Sequence, residues 1–481
     1  MTALPPHPAA PPPASPRAGA IGPAAVSAAV PQAVEAGLAM LRAGGNAFDA
    51  AVAAALVETV VLPMKCGLAG DVVALLASPE EGAHAGVRAL LAIGRGPLAL
   101  AEGAALDTTG PLSVGGFGAP EGYARLSRLG RLGLAAQAAP AIALAREGVA
   151  WTPVAVRLTV EAAERLRRWN GAIPFLPGGA LPEAGATLRL PGLALLLEQF
   201  AARGATLFHG PAGDAVIAHL AGMGGVLRRD DLVRAVATEM PAVCHDLGAA
   251  GRLWVTPHPT HGAVLGPALA AHLAGRDAVA AVRDARASFD AAAPGGTSVV
   301  TAADAAGNRV VVVHSNSFPQ YGACVVVPAF DLVLNNRPGR GFARGAAPDH
   351  WNRPDPLSIP ATTLNAWHLD RPEAEFWGGT PGGENQAVWN LQVLARLIAG
   401  DAPQAAINAP KWGLRPDETI QVEANHPDRA AIGGAAVAPH GLRSALQVLR
   451  IARPDGAVTG GADPRTGAVV QVLAGPPDPE T

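Results

Sequence analysis

Residues 295–317 read GGTSVVTAADAAGNRVVVVHSNS. Two runs in this stretch have strand composition, Ser298–Ala302 and Arg309–Ser315. They are joined by Ala-Asp-Ala-Ala-Gly-Asn, a turn signal that makes the pair a β-hairpin. Val310–Val313 is unbroken and apolar, so the second strand should be buried on both faces rather than lie on a half-solvated sheet. The chain before it, Ala280–Gly296, has few large apolar residues and ends Ala-Ala-Ala-Pro-Gly-Gly. That composition reads as an exposed, flexible linker feeding straight into a buried strand.

Working outward, Gly22–Val30 suits a short strand, and Val34, Leu38 and Leu41 recur at helical spacing before Gly44-Gly45 stops the helix. Asn46 is placed to cap a second, Ala-rich helix that runs to about Val60 and is apolar all round, hence interior. Pro63 and Cys66–Asp71 form the next turn. Helices are expected at Ala135–Glu147, Val154–Arg168, Pro191–Arg203, Gly213–Leu220, from Asp230 onward, at Val264–Ala274 and at Asn385–Ile398. Further strands are expected at Cys324–Val327, Leu332–Leu334, Ala361–Trp367 and Val469–Leu473. Helices, then strands, then helix and strand again favour a layered α+β body over a Rossmann sheet.

The chain of 481 residues is 49% hydrophobic and 16% charged, with a formal net charge of -3. It has ample apolar material for a core and lacks the basic surplus that nucleic-acid binding needs. Cys66, Cys244 and Cys324 form no CxxC pair and no zinc-ligand spacing, so buried free thiols and no disulfide are expected. Residues 1–20 are rich in Pro and Ala and read as a mobile tail without the apolar core of a signal peptide. The most apolar stretch, Ala50–Met64, is interrupted by Glu58 and too short to span a bilayer. A soluble, cytoplasmic protein with no membrane or nucleic-acid partner is the expectation, with periplasmic or secreted placement left open.

The chemistry of interest centres on Thr297. A threonine hydroxyl is a weak nucleophile without an adjacent base. If the bond between Gly296 and Thr297 is cut, Thr297 acquires an α-amino group with a pKa of roughly 7.7–8.0, able to take the proton of its own Oγ. An oxyanion hole is then needed, and Gly378-Gly-Thr-Pro-Gly-Gly383, just before a helix, can present backbone N–H groups and a helix N-terminus. Taken alone, Gly-Gly-Thr is also how an ordinary linker enters a strand.

A wider pattern decides between these readings. Glu35–Leu38 with Leu41-Arg-Ala-Gly-Gly-Asn-Ala-Phe-Asp-Ala-Ala-Val52, Cys66-Gly-Leu-Ala-Gly70, and Gly225-Val-Leu with Asp231-Leu232 occur in order in the first half. Gly295-Gly-Thr297, Gly307-Asn308, Leu334-Asn-Asn336, Pro356-Leu-Ser358, Pro381-Gly-Gly383 and Gly460-Gly-Ala-Asp-Pro-Arg465 follow in the second. In this order the chain resembles the gamma-glutamyltransferase (gamma-glutamyltranspeptidase) family. The resemblance implies an αββα N-terminal-nucleophile (Ntn) hydrolase fold and self-cleavage between Gly296 and Thr297. The products would be a large segment, 21–296, and a small one, 297–481, held as a heterodimer. Acyl transfer from a small amide through an acyl-enzyme would follow, with no cofactor and no metal. By the same resemblance Thr297 is the nucleophile, Ser315 supports it, and Gly382 and Gly383 supply the oxyanion hole.

Departures from the family pattern fall on substrate recognition. Ser358 matches one of two carboxylate-binding serines, but the second is Ile359. Val299 stands where a histidine is usual, and Ser317, next to Asn316, where an asparagine is. The acidic residue that would grip a glutamyl amine falls at Arg340 and a nearby glutamine at Arg337. Arginine repels an ammonium and suits a carboxylate. Arg95, in Gly94-Arg-Gly-Pro97, lies near the family's carboxylate-binding arginine. The expected substrate-binding set is therefore Arg95, Asn316, Ser317, Arg337, Arg340 and Ser358, serving a small and anionic amide. Ordinary gamma-glutamyl transfer and a non-catalytic binding descendant are the alternatives. His314, beside Ser315, reads as a core histidine satisfied by backbone.

Overall fold

The hairpin predicted from residues 298–315 forms, with strands Gly296–Ala303 and Arg309–Ser317, every residue of both being buried. Its turn is fixed by Asp304, whose carboxylate accepts Asn308 N at 3.1 Å and Ala47 N at 2.8 Å. The second contact ties the turn to the N-terminus of helix Ala47–Val61. Asn46 and Asp49 close a capping box on that helix end, and all fifteen of its residues are buried. The computed structural model describes residues 20–79, 86–290, 296–356 and 358–474.

Around the hairpin grows a seven-stranded antiparallel sheet in the order Val469–Leu473, Ala24–Ala28, Gly296–Ala303, Arg309–Ser317, Asp71–Ala77, Arg88–Ala92, Thr238–Pro241. A second antiparallel sheet has the order Val458–Ala462, Gln447–Ala452, Ala374–Gly379, Ala366–Arg371, Arg252–Val255, Val243–Asp246. Strand periodicity then sorts the valines by face. Val299, Val311 and Val313 join Trp377, Leu449 and Ile451 in a core between the two sheets. Val300, Val310 and Val312 join the core under the helices of the first half. Each such valine contributes about 1.5–3 kcal/mol on burial, so a one-residue register slip is strongly opposed. Helices Gly262–Leu273, Ala278–Phe289 and Asn385–Ile398 cover the outer face of the second sheet. The stack is helices, sheet, sheet, helices: the four-layer αββα architecture.

Several expectations need correction. Ala280–Gly296 is not all linker: Ala278–Phe289 is a helix, capped by Asp277 at Ala280 N (3.0 Å) and burying Val279, Val282, Ala285 and Phe289. Its apolar face is narrow and built partly of alanines, which hid the helical period. Residues 291–295, with the Pro-Gly of the linker, lie outside the described residues, as does nearly all of the 1–20 tail. The strand expected at Ala361–Trp367 starts later and runs Ala366–Arg371. Cys66 and Cys324 are buried free thiols, but Cys244 is exposed on an edge strand. Among the described residues, no helix is long and apolar enough to cross a membrane.

The inter-sheet core holds an imidazole. His368 stacks on Trp377 (centroids 4.1 Å apart) and Trp254 (5.1 Å), with Nδ1 3.2 Å from the Phe376 carbonyl. Burial pushes its pKa down from 6.5 to about 4. The unfolded chain takes up this proton below pH 6.5 and the folded chain does not until about 4. Stability is therefore lost as pH falls through that window. Thermal scans between pH 7 and 4 should show a falling midpoint, with a shallower fall in His368→Phe, which keeps the ring stack without the titration.

Candidate active site

The two hairpin strands pair regularly from Arg309 opposite Ala303 to His314 opposite Ser298; the next partners are Ser317 and Gly296. One extra residue is thus accommodated beside Thr297, as in a β-bulge. Ser317 sits there at φ 72, a conformation costly for a non-glycine residue and held by its neighbours. The bulge brings Ser315 Oγ onto the carbonyl of Gly296, to which it donates, while the same oxygen accepts Ser317 N–H at 2.8 Å. The peptide carbonyl preceding Thr297 is thereby polarised by a hydroxyl that is itself oriented.

Thr297 has the same strand parity as Val299 and so faces the second sheet, at the sheet end, with 1% of its surface exposed. It borders a cavity of about 480 Å³ whose wall includes Gly296, Phe318, Gly382, Gly383 and Trp389. Gly382 (φ 133) and Gly383 (φ 60) both occupy the left-handed region, and a Cβ on Gly382 would lie 2.2 Å from Trp389. Glycine is therefore required at 382 and favoured at 383. The turn delivers them at the N-terminus of helix Asn385–Ile398, and neither N–H is bonded within the protein among the described residues. Free backbone donors at a helix N-terminus make a site for developing negative charge.

Sequence reasoning missed Gln386, in the first turn of that helix. Its buried amide, in the orientation that gives both atoms partners, accepts from Thr297 Oγ at 3.3 Å and Thr363 Oγ1 at 3.1 Å. It donates to the carbonyls of Thr380 (3.1 Å) and Thr363 (2.9 Å). Four contacts leave the side chain one position. The cue available in sequence was a polar residue three places after the glycine pair, on a helix whose other first-turn residues gave no reason to single it out.

The other expected site residues divide. Arg340 lines the cavity, its guanidinium 5.9 Å from the Phe318 ring centre; burial and the Arg344 charge lower its pKa, against Glu384. Arg95, Asn316, Ser317, Arg337 and Ser358 are not in the cavity wall. Arg337 is fully buried instead, with Nε 2.7 Å from Asp71 Oδ2. Asp71 lies opposite Ser315 in the sheet and also accepts Gly94 N at 2.9 Å. Burial raises the Asp71 pKa, opposed by Arg337. Asn316 bonds backbone from Pro63 and Lys65, and Ser358 N–H donates to Asp355 O. Arg337, through Asp71, and Asn316 brace the strand end rather than face the cavity.

His314, on the opposite strand face, is satisfied by side chains and not by backbone. Nε2 meets Glu58 Oε2 and Nδ1 meets Tyr123 Oη, both at 2.7 Å. Glu58, Cys66 and His314 stand close enough to share a metal ion, yet both imidazole nitrogens have protein partners and Glu58 Oε1 accepts Ala29 N at 2.7 Å. Burial pushes the Cys66 thiol up. The cluster is a hydrogen-bonded core beneath the site.

Comparison with known proteins bears on this geometry. The family model described as Gamma-glutamyltranspeptidase matches residues 33–281 and 270–473. The oxamate amidohydrolase proenzyme of Klebsiella pneumoniae is 28% identical over 453 residues, spanning 78% of this chain and 82% of its own. The acylase ACY 1 proenzyme of a Pseudomonas species is 34% identical over 218 residues, 42% of this chain and 39% of its own. The crystal structure of cephalosporin acylase from Bacillus halodurans superposes with a TM-score of 0.82 at 26% identity, covering 98% of this chain and 99% of that one. With the family model matched along nearly the whole chain and the αββα stack in place, this protein belongs to the gamma-glutamyltranspeptidase family of Ntn-type amidohydrolases and acyltransferases.

Proposed function

We propose that the chain is a proenzyme that cuts itself between Gly296 and Thr297 and then hydrolyses a small, anionic amide with Thr297 as nucleophile. The observation carrying this reading is the Ser315 hydroxyl on the Gly296 carbonyl, one atom from the bond to be broken. Thr297 Oγ attacks that carbonyl carbon, the Gly296–Thr297 C–N bond breaks, and the acyl group moves to oxygen as an ester. Water then cleaves the ester, leaving a carboxylate on Gly296 and a free amine on Thr297.

In the mature site that amine takes the Oγ proton as Oγ adds to a substrate amide, and passes it to the departing amine. The oxyanion falls to the N–H groups of Gly382 and Gly383, and water releases the acyl group from Oγ in the second half-reaction. Arg340 suits an anionic substrate and cannot hold a glutamyl ammonium. The proenzymes and acylase among the relatives support the class of chemistry; the substrate is read from the cavity.

Denaturing electrophoresis of the purified protein should give two chains, of 296 residues (1–296) and 185 residues (297–481). The smaller should begin with Thr297, and Thr297→Ala should stay a single chain without amidase activity. An uncut wild-type chain would sink the proposal. Gln386 should set the rate of the same step: losing one hydrogen bond of about 1 kcal/mol to Thr297 slows a reaction roughly fivefold. Gln386→Leu is therefore expected to delay processing by about that factor, read as the time course of the two bands.

A further inference from the structure

The cavity beside Thr297 carries more charge than the mechanism above uses. Lys65, Arg157, Arg340 and Arg443 line it, against Glu161 and Glu384. Four cations less two carboxylates leave a formal +2 in the wall of one cavity, whereas the whole chain carries -3. Arg443 is engaged, with Nη1 2.7 Å from Glu161. Arg340 lies against Phe318 and within the field of Glu384.

Lys65 and Arg157, unlike Arg443, make no direct charge contact among the described residues. In this they resemble Arg340, whose Nε is also buried without a partner, and Arg157 additionally lies in the field of Glu161 on its own helix. Among the described residues neither side chain has an ion pair or a hydrogen bond, and Arg157 Nε is buried without a partner. The acid whose field reaches Lys65, Glu58, is occupied on both oxygens by Ala29 N–H and His314. Burial lowers the pKa of Lys65, and burial with the Arg443 charge lowers that of Arg157. The two cations also feel each other's charge.

Neither is loosely placed. Lys65 N–H donates to Leu62 O at 2.8 Å, and its carbonyl accepts Asn316 N–H at 2.7 Å, next to Ser315 on the same strand. Arg157 is held on helix Pro153–Trp169, which Thr152 caps. Two neighbouring, partly desolvated cations destabilise the empty site by mutual repulsion and lost hydration, and an anion between them relieves both. Cations without a direct partner in a concave wall beside Thr297 are the arrangement expected where binding specificity resides.

We infer that Lys65 and Arg157 form an anion subsite that takes a carboxylate of the amide substrate, apart from Arg340. This rests on the reading of the cavity as the amidase site. The carboxylate could belong to the acyl part or to the amine part, and a cavity of about 480 Å³ admits either. The chemistry is the same for both, a carboxylate met by an ammonium and a guanidinium.

The test uses full-length Thr297→Ala protein, which binds without turnover, and calorimetry with three anilides. Succinanilic acid carries the carboxylate on the acyl side, 4-butyramidobenzoate on the amine side, and butyranilide carries none. At least one carboxylate ligand should bind tenfold or more tightly than butyranilide, and which one assigns the side. Adding Lys65→Met or Arg157→Gln should erase that preference, while Lys65→Arg should keep most of it. Equal affinity for all three anilides, or an undiminished preference in both variants, would overturn the subsite. If Lys65→Met fails to give a thermal midpoint at or above its parent's, Arg157→Gln on the helix face decides alone. Hydrolysis of the same anilides by the wild-type protein separates the two claims. Preference without processing or turnover leaves the subsite and rejects the amidase, and turnover without preference does the reverse.

Discussion

The Gly296–Thr297 peptide lies in the third strand of a seven-stranded sheet, with both strand faces buried, and the strand beside it bulges where the two meet. The proposed chemistry depends on that placement. A peptide in an exposed loop samples many conformations; here the hydrogen-bond ladder fixes the carbonyl while the bulge aims a hydroxyl at it. The stored strain is local, at Ser317, and the valine faces on either side keep it from relaxing by a shift of register.

Each layer then adds one ingredient. The first-half helices supply the floor, where Glu58, His314 and Tyr123 saturate one another beneath the strand end. The ion pair between Asp71 and Arg337 braces the neighbouring strand, and it is fully enclosed. Such a pair contributes little net stability, because desolvation offsets attraction, but breaking it is expensive. Its value is positional, since Asp71 lies opposite Ser315. The second sheet brings the glycine pair and Gln386 from residues 382–386 to face Thr297. The αββα stack is therefore how two distant chain segments meet across a sheet interface.

The cations of the cavity come from four further places: the loop after helix Ala47–Val61, helix Pro153–Trp169, the short helix Arg337–Gly341, and the segment before strand Gln447–Ala452. Their separation in sequence lets the charges of the wall vary independently of the strand end that carries Thr297. Thr297, the Ser315 hydroxyl and the glycine turn are set by strand and helix geometry, whereas the charges sit on side chains from separate segments of the cavity wall.

Sequence alone determined a good deal. The hairpin, the capped interior helix at Asn46, helix Asn385–Ile398 and the terminal strand Val469–Leu473 were legible because their periodicity and punctuation are local. The family was legible because many short motifs keep one order, and Thr297 stood out through them. Helix Ala278–Phe289 was not legible, since alanines give a weak apolar face. Nor was the cavity wall: Arg337 and Arg340 are three residues apart, yet one is locked on Asp71 and the other lines the cavity that Thr297 borders. Lys65, Arg157 and Gln386 carry no local mark at all. Which charges face one another across a cavity depends on the packing of segments hundreds of residues apart, and only the tertiary structure decides it.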